Sequence, residues 1–102
     1  MPRRKIVREY FDAPEDKYFY VKDGPTLRNL RDLRDALANI TDEQFRQHVN
    51  EGRNDFADWV WNIFKDYELQ DKLRRRWTRK QALDTVVRHL AAYYDKWLNQ
   101  NA

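Results

Sequence analysis

Cysteine is absent from this 102-residue chain, and so is serine. No disulfide framework or thiolate site is available, which fits a reducing, cytoplasmic setting. Without Ser or Cys the nucleophile must come from elsewhere, and Thr26, Thr41, Thr78 and Thr85 are better placed as caps or helix positions. Glycine occurs twice and proline three times. So few turn formers favour long helices over many tight turns. No apolar run approaches the roughly 20 residues that cross a bilayer. The basic N-terminus has no apolar run behind it and is not expected to be a secretory signal. No glycine-rich phosphate loop is present.

What is abundant is charge and aromatic surface. Charged residues make up 36% and aromatics 15%, with four Trp, six Tyr and five Phe. A chain so rich in aromatics has the material for a folded core, and its length suits one domain. Twenty Lys and Arg stand against seventeen Asp and Glu, a net charge of only +3. A preference for polyanions would therefore need clustering.

In chain order, residues 1–16 read as a basic arm carrying Arg3, Arg4, Lys5 and Arg8, ended by Pro14. Residues 17–102 read as one helical domain. Lys17–Lys22 is the only strand-like run, aromatic and β-branched, closed by Asp23-Gly24-Pro25. It must pair with another segment, for which Ile6–Tyr10 is a candidate, or lie extended on the helices. Helix one is expected over 29–40, capped by Asn29, with Leu30, Leu33, Leu37 and Ile40 on one face. Thr41 and Gln44 form a capping box that starts helix two, expected over 41–51, with Phe45 and Val49 inward and Gly52 ending the helix or the turn after it.

Helix three is expected over 54–65. Asn54 caps it, Asp55 and Asp58 suit its first turn, and Phe56, Trp59, Val60, Ile63 and Phe64 make an inward stripe continued by Tyr67. Trp61 falls off that stripe. A short helix follows over 66–76 with Leu69 and Leu73 inward. Thr78 and Gln81 form a second capping box that opens helix five, over 78–99. Its stripe is Ala82, Leu83, Val86, Val87, Leu90, Tyr94, Trp97 and Leu98. The fold class is therefore mainly α: a compact bundle of four to five helices with a short N-terminal extended segment.

The pattern Leu30-x-x-Leu33-x-x-Ala36-Leu37-x-x-Ile40-x-Asp42-Glu43-x-Phe45-x-x-His48-Val49-Asn50, then Asn54-Asp55-Phe56-Ala57-x-Trp59-Val60, covers the middle of the chain. It resembles a small uncharacterised helical domain family found in archaeal and some bacterial proteins. The resemblance runs from about Tyr18 to Leu73 and implies a helical accessory domain with no assigned activity. The family usually carries a glycine near position 65, where this chain has Lys65.

Four constellations bear on function. The corner His48, Arg53, Asn54, Asp55, Phe56 and Trp59 has the residue types of a base, an oxyanion stabiliser and an orienting carboxylate. A structural role explains more of it: Asn54 caps, Asp55 and Asp58 meet the helix dipole, Arg53 pairs with one of them, and His48 bonds a backbone carbonyl. No catalytic residue is assigned. His48 and His89 are far apart and lack His or Cys partners, so neither a metal nor another cofactor is expected.

The segment Lys72–Lys80 holds Lys72, Arg74, Arg75, Arg76, Arg79 and Lys80 with no acid and with Trp77 in its middle. Arginines after a helix are ordinary dipole partners, but Arg79 and Lys80 stand at a helix start. With the arm, the segment offers phosphates a basic grip, and Trp77 offers a base a stacking face. Trp61, Tyr93 and Trp97 are surplus aromatics of the kind enriched at interfaces. The function expected is a non-enzymatic binding module with a protein partner or a second copy of itself. Nucleic-acid binding is the alternative. Neither a membrane nor a small-molecule substrate is indicated.

Overall fold

The computed structural model describes residues 11–101, with side chains through Tyr93. After a 3₁₀ turn at Glu15–Lys17 come β1 (Phe19–Tyr20), β2 (Thr26–Leu27), α1 (Leu30–Asn39) and α2 (Asp42–His48). Then follow β3 (Val49–Asn50), β4 (Arg53–Asn54), α3 (Asp55–Trp59) with a π-helical extension Val60–Phe64, α4 (Tyr67–Arg74) and α5 (Arg79–Asn101). The class is mainly α, as the periodicities predict.

Every helix start from α1 to α4 rests on a side chain chosen for it. The Asn29, Thr41, Asn54 and Asp66 side chains accept from the amides of Asp32, Gln44, Ala57 and Leu69. Both capping boxes form. Gln44 Oε1 takes the Thr41 amide at 2.8 Å, and Gln81 Oε1 takes the Thr78 amide at 3.3 Å. Gln44 has a second use, because its amide group donates to the carbonyls of Lys22 and Asp23 and fastens the turn between β1 and β2 to α2.

Leu30, Leu33, Leu37 and Ile40 of α1 are buried, as are Phe45, Phe56, Trp59, Leu69, Leu73 and the Ala82, Val86, Leu90 row of α5. α5 lies along α1. At 23 residues it is roughly 34 Å long. The molecule measures 47 × 27 × 23 Å, so the helix is longer than either short axis.

Several expectations need correction. β1 pairs antiparallel with β2, Phe19 opposite Leu27, whereas the candidate partner Ile6–Tyr10 is not among the described residues. Residues 1–10 lie outside the described residues. Ala13, assigned to the arm, packs on the body, buried and with its amide donating to the Arg28 carbonyl, and the exposed Asp12 beside it accepts from the Asn29 side chain. Helix two ends at His48, three residues early. The β-branched Val49 enters a hairpin of two-residue strands, and Gly52 at φ 82 sits in its turn, the second of the two places the sequence allowed it. Tyr67 does not continue the inward stripe. Lys65 adopts the left-handed conformation (φ 55, ψ 32), which breaks the helical phase, and Tyr67 is 65% exposed. Val87 is exposed too. The body buries the Ala82, Val86, Leu90 row and partly covers Leu83, and Val87 lies about 100° further round the helix from Val86.

Candidate functional site

The corner between α2 and α3 is assembled around a ring stack. Phe56 lies 5.8 Å from Phe45 and 4.8 Å from Phe19, both near-parallel. Trp59 packs edge-on to Phe19 and Phe64. Its indole N–H donates to the Lys17 carbonyl at 2.8 Å. The strand-like run at 17–22 thus closes the corner by sending Phe19 between helices.

His48 does not bond a backbone carbonyl, which corrects the expectation. Its Nδ1 lies 3.0 Å from an Asp55 carboxylate oxygen, and its Nε2 takes the Lys22 backbone N–H at 3.0 Å. A ring nitrogen that accepts an amide proton carries none of its own. In the neutral ring the proton therefore sits on Nδ1 and is donated to Asp55. Both nitrogens are engaged, and the ring touches Phe19 and Phe56 at 5.0 and 5.4 Å. A general base needs a nitrogen free for substrate, and here taking a proton means releasing Lys22. Arg53 completes the brace. Its guanidinium donates to both Asp55 oxygens and to the Gln47 carbonyl at the end of α2. Asn54 caps α3 and also donates to the Leu73 carbonyl, tying α3 to the last turn of α4.

A second His–Asp pair was not anticipated. His89 Nε2 stands 2.7 Å from Asp66, and both residues are buried. Asp66 meanwhile caps α4 through its other oxygen. His89 Nδ1 is buried and has no hydrogen-bond partner among the described residues. The Tyr93 ring lies 4.5 Å from His89 and its hydroxyl donates to Glu68 at 2.6 Å. That bond, with Lys72 beside it, holds the Glu68 carboxyl below its ordinary range. Tyr93 is half-exposed but occupied internally. Among the described residues no cluster of three or more metal-binding side chains occurs.

The basic segment is largely neutralised. Lys72 pairs with Glu68, Arg74 with Asp58, and Arg75 with Asp71. Arg79 explains its place at a helix start. It reaches away from its own helix, donating to the Leu37 carbonyl near the end of α1 and to Asp42 at the start of α2. Both are acceptors that favour a cation. Only Arg76 and Lys80 meet no carboxylate among the described residues. Trp77 is 66% exposed and does not plug the core. Arg3, Arg4, Lys5 and the Trp97 side chain lie outside the described residues.

At the end of the π-helical extension is a patch that the sequence only hinted at through Trp61. Trp61 is 39% exposed and meets the exposed Tyr67 edge-on at 6.0 Å, while Lys65 Nζ lies 5.4 Å above its ring. Lys65 and Tyr67 had no functional signal in sequence; only the displacement of Trp61 from the stripe pointed here. No helix among the described residues is long and apolar enough to cross a membrane. No family model, curated protein or solved structure matches the chain.

Proposed function

We propose that the chain is a non-enzymatic contact module that works in the cytoplasm and binds a protein partner or a second copy of itself. The observation that carries this reading is the Trp61–Lys65–Tyr67 patch. The core is complete without it, so these side chains are not exposed for want of an interior position. Edge-to-face packing and the cation over the indole hold the rings in place. Large aromatic groups held ready at the surface give contact area at low entropic cost, which is why they concentrate at interfaces. The occupied ring nitrogens of His48 support the non-enzymatic part, and the resemblance to an accessory domain family agrees with it.

Nucleic-acid binding is the second reading, favoured by Trp77 beside the unneutralised Arg76. It ranks lower because the carboxylates of Glu68, Asp58, Asp71 and Asp42 stand among the other cations. Sedimentation across protein concentrations, alone and with extract of the source cells, tests the contact reading. The wild type should form a discrete larger species that the Trp61→Ser, Tyr67→Ser double variant, still folded, does not form. A wild type that stays monomeric in both conditions, or a variant that assembles equally well, would reject the reading.

A further inference from the structure

One cleft lies apart from the Trp61–Lys65–Tyr67 patch that carries the contact reading. It lies between the β3–β4 hairpin and the end of α4, with a volume of about 260 Å³, and Asn50, Arg53, Arg74, Arg76 and Trp77 stand along it. It joins the two stretches that the sequence singled out separately, the central corner and the basic segment. We propose that this cleft binds an acidic segment of a protein partner, with Arg76 taking a Glu or Asp carboxylate and Trp77 taking the apolar side chain beside it. The proposal rests on the contact-module reading and names the chemistry of one partner.

Arg76 is held by one edge. Its Nε donates to Thr85 Oγ1 at 2.8 Å, and that hydroxyl passes its own proton to the Gln81 carbonyl. The backbone is fixed as well, by the Arg76 amide on the Leu73 carbonyl and the Trp77 amide on Gln81 Oε1. The terminal guanidinium nitrogens have no partner among the described residues. They form a fork of fixed geometry, the shape that a carboxylate matches with two parallel bonds. The half-buried position makes such a bond stronger than one in open water. The adjoining indole supplies apolar area and stacking.

The surroundings choose among anions. Arg74 in the wall already carries Asp58, and Arg53 carries Asp55. Asp58 itself stands in the wall and would repel a run of phosphates laid along it, whereas a single carboxylate set on Arg76 meets one acid whose charge Arg74 already offsets. A volume of about 260 Å³ is also below the roughly 300 Å³ at which small-molecule pockets begin.

The test is a phage-displayed random peptide library panned on the full-length protein, followed by fluorescence anisotropy with the selected peptides. Selected sequences should place Glu or Asp next to Phe, Trp, Tyr or Leu. Replacing their acid by Gln should weaken binding by about tenfold, as should Arg76→Gln or Trp77→Ala in the protein. Arg75→Gln is the control. Arg75 is paired with Asp71 and is not part of the cleft, so this change should leave affinity within about twofold. Arg76→Lys keeps the charge, loses the fork and should also weaken binding; it serves if Arg76→Gln fails to fold.

The proposal is overturned by selection of peptides without acids, or by no selection at all. An Arg75→Gln loss equal to that of Arg76→Gln would also overturn it, since the field alone would then be responsible. Oligothymidylate binding more tightly than any peptide, and lost with Arg76→Gln, would hand the cleft to nucleic acid. None of these outcomes touches Trp61 or Tyr67, so the contact-module reading stands or falls separately.

Discussion

His48 and His89 each face an aspartate, yet the two rings are wired in opposite senses. Lys22 N–H occupies Nε2 of His48 and leaves Nδ1 for Asp55, whereas Asp66 occupies Nε2 of His89. The neutral rings must therefore be opposite tautomers: Nδ1–H in His48 and Nε2–H in His89. Long-range proton–nitrogen correlation spectra above neutral pH distinguish the two forms directly. The same tautomer in both residues would refute the hydrogen-bond assignment at one of them, and Nε2–H at His48 would reopen its candidacy as a base. Glu68 supplies a second check at this scale. Its carboxyl is lowered first by the Tyr93 hydroxyl and then by Lys72. A lowered folded value means that the ionised group stabilises the fold above its ordinary titration range, and that this contribution fades as pH falls through the lowered value. Tyr93→Phe should move the Glu68 titration back up, as followed by carbon-detected NMR of its side chain. An unmoved titration would shift the cause to Lys72.

Among the elements, Asn54 is the residue with most depending on it. One carboxamide caps α3 through its oxygen and holds the Leu73 carbonyl through its nitrogen. Loss of a cap alone costs about 1 kcal/mol. Removing the donor of a second, partly buried bond adds about 1 kcal/mol more. Asn54→Ala should therefore cost about 2 kcal/mol in denaturant unfolding, while Asn54→Asp should keep the cap and lose only the Leu73 bond. An Asn54→Asp variant as stable as the wild type would show that the Leu73 bond contributes nothing, and equal losses in the two variants would show the same of the cap. What was legible at this scale was local. The Thr41–Gln44 and Thr78–Gln81 boxes, the Asn29 and Asn54 caps and the leucine row of α1 all act within four residues, so their spacing carries the signal. What was not legible depends on contacts remote in sequence. The partner of His48 is an amide 26 residues away, and Phe19 enters the corner from a hairpin that its own six-residue run does not specify. Gly52 reads equally well as a helix end or a hairpin turn. Tyr67 was misplaced because Lys65 takes a left-handed conformation that a β-carbon disfavours, resetting a helical period that the sequence had no glycine to interrupt.

For the whole molecule, the question is how much of the basic charge is available to a partner. The sequence puts six cations between Lys72 and Lys80, and counting them alone predicts a polyanion grip. In the fold a carboxylate stands beside each of Lys72, Arg74, Arg75 and Arg79: Glu68 and Asp71 from α4 itself, Asp58 from α3 and Asp42 from α2. Surface pairs of this kind contribute little to stability. Their larger effect is on the field, since each acid cancels its cation for any incoming phosphate whether or not the pair is closed. Binding to duplex DNA releases about 0.9 counterion per phosphate neutralised. Six available cations would give a slope of log affinity against log salt of about −5, whereas Arg76 and Lys80 alone would give about −2. Titrating a labelled duplex over a range of salt concentrations measures that slope. A value near −2, abolished by Arg76→Gln with Lys80→Gln, is the expected outcome and marks such binding as incidental to a protein-contact surface. A slope near −5 would mean that the carboxylates swing aside on binding, and the nucleic-acid reading would then take first place.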